Sequence, residues 1–204
     1  MEESNLIESK KQNYPVTNTD LVVIGGSAGS FEILFKIIPI LPKNFPCPVV
    51  VIIHRKKNDE FAVEELLQNQ SKLIVKEADD KENLKSGFVY FAPADYHLLI
   101  ERDKTFSFDA GEKVRFSRPS IDVTFESAAE VYRERLTGII LSGANNDGAA
   151  GLMEIKKQNG ITIAENPETA AFTTMPLAAI QKSKVDFILD ANEIAQYLIK
   201  LSGI

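Results

Sequence analysis

Ser27, His54 and Asp147 supply the three groups that nucleophilic acyl chemistry needs: a hydroxyl, an imidazole and a carboxylate. A serine hydroxyl attacks poorly until a neutral imidazole takes its proton. A carboxylate beside the imidazole selects its tautomer and stabilises the imidazolium that forms. Each of the three follows an apolar run. Ser27 comes after Leu21–Ile24, His54 after Val49–Ile53 and Asp147 after Thr137–Leu141. Such runs read as buried strands. In open α/β sheets, sites form outside the carboxyl ends of strands, so one sheet edge can gather all three residues.

Each residue also has a plainer reading. Ser27 stands in Ile24-Gly25-Gly26-Ser27-Ala28-Gly29. That turn can present a nucleophile, cradle the phosphates of a dinucleotide, or be a tight turn with a serine helix cap. The dinucleotide fingerprint fits poorly: Gly26 and Gly29 match its last two glycines, but Ile24 occupies the first. The acid expected after the second strand for the ribose is replaced by His54. A Walker loop is excluded, because no Lys-Ser or Lys-Thr follows the glycines. Of the two histidines, His97 lies among short strands and reads as structural or surface. His54 can equally be a loop histidine, and Asp147, within Asn-Asp-Gly, an ordinary turn or cap. Cys47 precedes a strand rather than ending one, which makes it a poor candidate nucleophile.

The elements that must position these residues alternate. After the glycine turn, Phe31, Ile33, Leu34, Phe35, Ile37 and Ile38 recur at helical spacing. A helix is expected over Asp59–Gln70 with Phe61, Leu66 and Leu67 inward, then a short strand over Leu73–Val75. Phe88–Ala92, Leu98–Glu101 and Thr105–Phe108 read as short strands in antiparallel hairpins. Ser120 is expected to cap a helix with Val123, Ala128, Val131 and Tyr132 inside. Helices over Ala149–Gln158 and Pro176–Ser183 alternate with strands over Ile161–Ala164 and Val185–Leu189. Asp190 and Glu193 make a capping-box start for the last helix, Ala191–Leu201. The expected fold class is α/β: one doubly wound, mostly parallel sheet, helices on both faces, and a small antiparallel hairpin insertion.

With 204 residues, 44% hydrophobic and 25% charged, the chain can build one sizeable core. A net charge of −6 argues against a general nucleic-acid binder. Arg55-Lys56-Lys57 is a candidate basic patch, with a solvated surface as its plainer reading. The single cysteine cannot form an internal disulfide, which fits a reducing cytoplasm. No apolar run approaches the roughly 18 residues of a membrane span. Residues 1–19 are polar and are expected to be a mobile tail, with one domain over 20–204.

Several separated motifs, in order, resemble the catalytic domain of the CheB family of chemotaxis protein-glutamate methylesterases. They are Ile24–Gly29, the strand ending in His54, Tyr90-Phe91-Ala92-Pro93-Ala94-Asp95-Tyr96-His97, Arg118-Pro119-Ser120-Ile121-Asp122, and Gly143–Gly151. The resemblance runs from about Leu21 to about Leu198. It implies hydrolysis of glutamate methyl esters on chemoreceptor helices, with release of methanol, and deamidation of certain receptor glutamines. It assigns Ser27 as nucleophile, His54 as base and Asp147 as orienting acid, with the backbone N–H groups of Ala28 and Ala144 as oxyanion donors. It implies neither cofactor nor metal. The implied partners are methylated chemoreceptor cytoplasmic helices and a separate receiver or chemosensory kinase protein, with no nucleic acid and no membrane insertion. A non-catalytic regulatory module of the same fold is the alternative.

Three positions depart from the family pattern. Ser30 stands where a second glycine is usual, and Ala144 and Arg55 stand where methionines are usual. The residues before Leu21 are too few for a receiver domain, which needs roughly 100 residues. The expectation is therefore that this chain is constitutively competent and controlled from outside.

Overall fold

A computed structural model of the chain describes residues 18–55 and 63–203. In chain order the elements are β1 (Leu21–Gly26), α1 (Ser30–Ile37), β2 (Val49–Ile53), α2 (Val63–Gln68), β3 (Ile74–Glu77), β4 (Phe88–Phe91), β5 (His97–Ile100) and β6 (Phe106–Asp109). Then come α3 (Ile121–Tyr132), a short 3-10 turn (Arg133–Arg135), β7 (Leu136–Ile140), α4 (Ala149–Lys157), β8 (Ile161–Glu165), α5 (Thr174–Ser183), β9 (Phe187–Leu189) and α6 (Ala191–Leu201). Seven strands form one sheet in the order β3-β4-β2-β1-β7-β8-β9. Every pairing in it is parallel.

β1 and β2 are buried along their whole length, as β-branched runs in a sheet covered on both faces should be. Alternate residues go to opposite layers. Val22, Ile24, Val49 and Val51 pack with Leu34 and Ile37 of α1 and Ile194 and Leu198 of α6. Leu21, Val23, Val50 and Ile52 pack with Phe125 of α3, Leu152 and Ile155 of α4, and Ala179 of α5. The order reverses at β1: the chain winds outward through β2 on one side and returns through β7 on the other. Doubly wound sheets open their binding crevice at such a reversal. The turns that follow β1, β2 and β7 all face it.

The expected fold class is observed, with local corrections. Phe88–Phe91 is not a hairpin strand; it pairs in parallel with β2 and β3 inside the main sheet. Only β5 and β6 form the antiparallel pair. The turn-like residues flanking Phe88–Phe91 suggested a hairpin, but a buried β-branched and aromatic run serves a parallel strand as well. Leu66 is half exposed, whereas Leu67 is buried. The inner face of α3 is Ile121, Phe125, Ala128, Ala129 and Tyr132, while Val123 and Val131 are only partly covered. The last helix has the expected capping box between Asp190 and Glu193. Residues 1–17 of the expected tail, with Phe61, Lys56 and Lys57, lie outside the described residues, whereas the Thr19 hydroxyl lies 3.0 Å from the Thr137 hydroxyl of β7.

Candidate active site

β1 runs directly into the Ser27 turn. The Ser27 N–H donates to the Ser142 carbonyl after β7 at 2.9 Å. The Ser27 carbonyl accepts from the Ser30 N–H at 3.1 Å and from the Ser30 hydroxyl at 2.5 Å. Gly29 follows with φ 82°, the left-handed region, and a Cβ there would meet Ala171 at 2.6 Å. The turn is thereby fixed from both sides. On the other flank, the His54 N–H donates to the Gly26 carbonyl at 3.3 Å and continues the β1–β2 ladder. Ser27 and His54 thus leave adjacent strands at the same level.

His54 Nε2 lies 2.8 Å from Asp147 Oδ2. An ionised carboxylate only accepts, so Nε2 carries the proton and Nδ1 carries the lone pair. Nδ1 is the atom available as a base. Its neighbours are the Asn145 side-chain nitrogen at 3.3 Å and the Ser117 hydroxyl at 3.5 Å. Among the described residues no hydrogen bond links the Ser27 hydroxyl to the ring. Contacts of this kind are commonly loose without substrate.

Asp147 is fully buried and entirely satisfied by donors. Oδ2 also accepts from the Ile121 N–H at 2.8 Å. Oδ1 accepts from the Ser120 hydroxyl at 3.0 Å, the Asp122 N–H at 3.1 Å and the Gly148 N–H at 3.0 Å. The carboxylate therefore sits on the amino end of α3, where the helix dipole and free N–H groups favour negative charge. Burial pushes its pKa up. The bonds from His54 and from the Ile121 and Asp122 N–H groups outweigh burial and hold it below the usual aspartate value. Asp122, close by, moves the other way: burial raises it, the Asp147 charge adds to that, and the Gly151 N–H and Arg115 offset part of the rise. Arg115 Nε contacts the Asp122 carboxylate at 2.9 Å.

Ser120 occupies the cap position of α3, but its side chain makes no cap bond. It donates across to Asp147 instead, a correction that follows from the stronger charged acceptor. His97 is buried and engaged at both nitrogens, with Nε2 at 2.9 Å from the Glu112 carbonyl and Nδ1 accepting from the Ser120 N–H at 3.2 Å. Its role is structural. Cys47 is buried, and desolvation, with the Asp20 charge adding, pushes its thiol up to about 12, so it is no nucleophile. Arg55 is committed to Glu64 at 2.5 Å, Glu77 at 2.6 Å and the Ala92 carbonyl at 3.2 Å. Those bonds remove it from the candidate basic patch.

The N–H groups of Ala28 and Ala144 have no hydrogen-bond partner among the described residues, and both residues are exposed. Two free donors thus flank the serine turn. Behind them the buried Glu165 carboxylate accepts from the Ser142 N–H at 2.7 Å. Burial raises the Glu165 pKa, offset in part by that bond. The stability it contributes is therefore present below the ordinary glutamate value of 4.5 and lost as pH rises through the higher folded value. Glu165→Gln keeps the acceptor and removes the charge. It should raise Tm by ~2–4 °C at neutral pH, for about 1 kcal/mol, and by less at pH 4.5. Thermal melts across that range check this; a pH-independent difference would contradict it.

A serine turn, an imidazole and a buried carboxylate on one edge of a doubly wound sheet define the class: a hydrolase domain of the parallel α/β kind. The comparisons with known proteins narrow it. The family model described as CheB methylesterase matches residues 22–198, and the chain belongs to that family. It is 48% identical over 187 residues to a putative protein-glutamate methylesterase/protein-glutamine glutaminase of Leptospira interrogans, covering 90% of this chain and 95% of the relative. It is 40% identical to the protein-glutamate methylesterase/protein-glutamine glutaminase of Thermotoga maritima, covering 92% of this chain but 55% of that protein. The crystal structure of the Thermotoga maritima CheB methylesterase catalytic domain superposes with a TM-score of 0.86 at 40% identity, over 90% of this chain and 98% of that one. Among the described residues no helix is long and apolar enough to cross a membrane.

Proposed function

We propose that this chain hydrolyses glutamate methyl esters on the cytoplasmic helices of chemoreceptors, with Ser27 as nucleophile, His54 as base and Asp147 as orienting acid. The observation that carries the reading is the 2.8 Å bond from His54 Nε2 to a buried carboxylate, which leaves Nδ1 as a base beside the serine turn. Ser27 Oγ attacks the ester carbonyl while Nδ1 takes its proton. The carbonyl oxygen becomes an oxyanion, and the N–H groups of Ala28 and Ala144 stabilise it. The tetrahedral intermediate collapses, and the protonated Nδ1 hands its proton to the departing methoxide. Methanol leaves and a serine ester of the receptor glutamate remains. Water, deprotonated by the same nitrogen, then releases the free glutamate and restores Ser27. The same steps on a glutamine side chain release ammonia, consistent with the second activity in the relatives' names.

The receptor, the localisation in the cytoplasm and a separate regulatory partner belong to this proposal as well. The test is methanol release from a methylated receptor cytoplasmic fragment by the full chain. Catalytic release supports the reading. A folded chain that binds the fragment without releasing methanol or ammonia would point to a non-catalytic module instead.

A further inference from the structure

The loop after β7 carries a group that the hydrolytic scheme leaves unused. The Asp147 backbone N–H donates to Asn145 Oδ1 at 3.1 Å. A backbone N–H only donates, so this bond fixes which way the Asn145 amide points. The atom 3.3 Å from His54 Nδ1 is therefore the amide nitrogen, which has protons to give and no lone pair to offer. With the ring proton on Nε2 and bonded to Asp147, Nδ1 is an acceptor. The two atoms are complementary only while Nδ1 is unprotonated.

We infer that Asn145 is a positioning residue, holding the resting His54 ring through Nδ1 and disfavouring protonation of that nitrogen before substrate arrives. The inference rests on the reading of His54 as the base. When Nδ1 takes a proton, two N–H groups face one another and the bond is lost. The Ser117 hydroxyl, 3.5 Å from the same nitrogen, imposes no such cost, because a hydroxyl can turn from donor to acceptor. In the catalytic cycle the Asn145 amide must withdraw as the Ser27 hydroxyl takes the Nδ1 lone pair. The resting site is thus clamped at both ring nitrogens from a single loop, by Asp147 on one side and Asn145 on the other.

The charged surroundings of the ring stay in place when Asn145 is changed. Asp147 faces Nε2 from the loop after β7, and Asp122 on α3 lies behind it, paired with Arg115. Arg55, next to His54 just after β2, is neutralised by Glu64 of α2 and Glu77 of β3. The turn after β1 contributes the uncharged Ser27. A shift seen in Asn145→Ala therefore reports the amide, and the larger shift in Asn145→Asp adds the effect of a new charge.

The experiment uses the full chain with 15N-labelled histidine, and follows the His54 ring nitrogens by NMR as pH is varied. His54→Gln identifies the signals. Asn145→Ala removes the donor. Asn145→Asp keeps the acceptor for the Asp147 N–H and puts an acceptor where the donor was. The midpoint for Nδ1 protonation should rise by ~0.5–1 pH unit in Asn145→Ala and further in Asn145→Asp. The acid limb of kcat/KM for methanol release should follow, a ~3–10-fold loss on that limb for the alanine variant. A midpoint within about 0.2 unit of the parent in Asn145→Ala would overturn the inference whatever Asn145→Asp shows, even if Ser27→Ala abolishes turnover. Normal turnover by Ser27→Ala would instead overturn the hydrolytic reading, and the ring titration would still report on the amide.

Discussion

Ser27→Ala should cut methanol release by ~10⁴–10⁶-fold while leaving the fold intact. The side chain removed is small, half-buried, and bonded to the rest of the turn through its backbone only. Its N–H to the Ser142 carbonyl and its carbonyl to Ser30 survive the change. What is lost is the oxygen that forms the covalent ester. His54→Ala should cost about as much, because no hydroxyl is then deprotonated. The double variant should be little worse than either single one, since residues acting as a unit are not additive. Steady-state methanol release with circular dichroism and thermal melts checks all three. A folded Ser27→Ala protein within about tenfold of the parent rate would remove Ser27 as nucleophile.

Asp147→Asn should damage both activity and stability. All five partners of the carboxylate are donors: His54 Nε2, the Ser120 hydroxyl, and the N–H groups of Ile121, Asp122 and Gly148. An amide brings its own donor against one group of them. If its nitrogen faces His54, the ring must accept at Nε2, its proton moves to Nδ1, and the base is lost. If its nitrogen faces the other way, the Ser120 hydroxyl and the N–H groups of Asp122 and Gly148 lose their acceptor. The expected rate loss is ~10⁴-fold. The expected stability loss is ~2–4 kcal/mol, or a Tm drop of ~5–15 °C. The linkage has a definite sign. The folded pKa of Asp147 lies below the ordinary value of 3.8, so its contribution is present above that value and lost as pH falls through the folded one. The variant should therefore lose less stability than the parent on acidification below about pH 4. Equal stability of parent and variant at neutral pH would show that the helix-end contacts contribute little.

Much of this was legible in the residues, for reasons that differ by element. β1, β2 and β7 are legible because strands buried on both faces are continuously apolar; Ser27 and His54 stand directly after β1 and β2, and Asp147 stands in the loop that follows β7. The capping box at Asp190 and Glu193 is a local motif that needs no tertiary help, and it is present as read. The sheet partners of β4 are not legible, because four residues of buried strand carry no signal of their neighbours. The support around Asp147 was hidden for the same reason. Ser120 is a good cap in local terms, yet its hydroxyl is drawn to a carboxylate 27 residues away in sequence. The Asn145 contact with His54 spans 91 residues, and locally Asn145 is only a small polar residue before the Asn146-Asp147-Gly148 turn. Hydrogen bonds that span the sheet edge follow from strand order, and strand order is not written in any one segment.

The most direct test of the central claim is to trap the covalent ester. The full chain is mixed with a methylated receptor cytoplasmic fragment, quenched in acid during the first turnovers, digested and analysed by mass spectrometry. The account predicts a receptor glutamate joined through an ester to the peptide containing Ser27, formed with loss of one methanol and absent from Ser27→Ala. An ester on any other residue, or undiminished methanol release by folded Ser27→Ala, would contradict it.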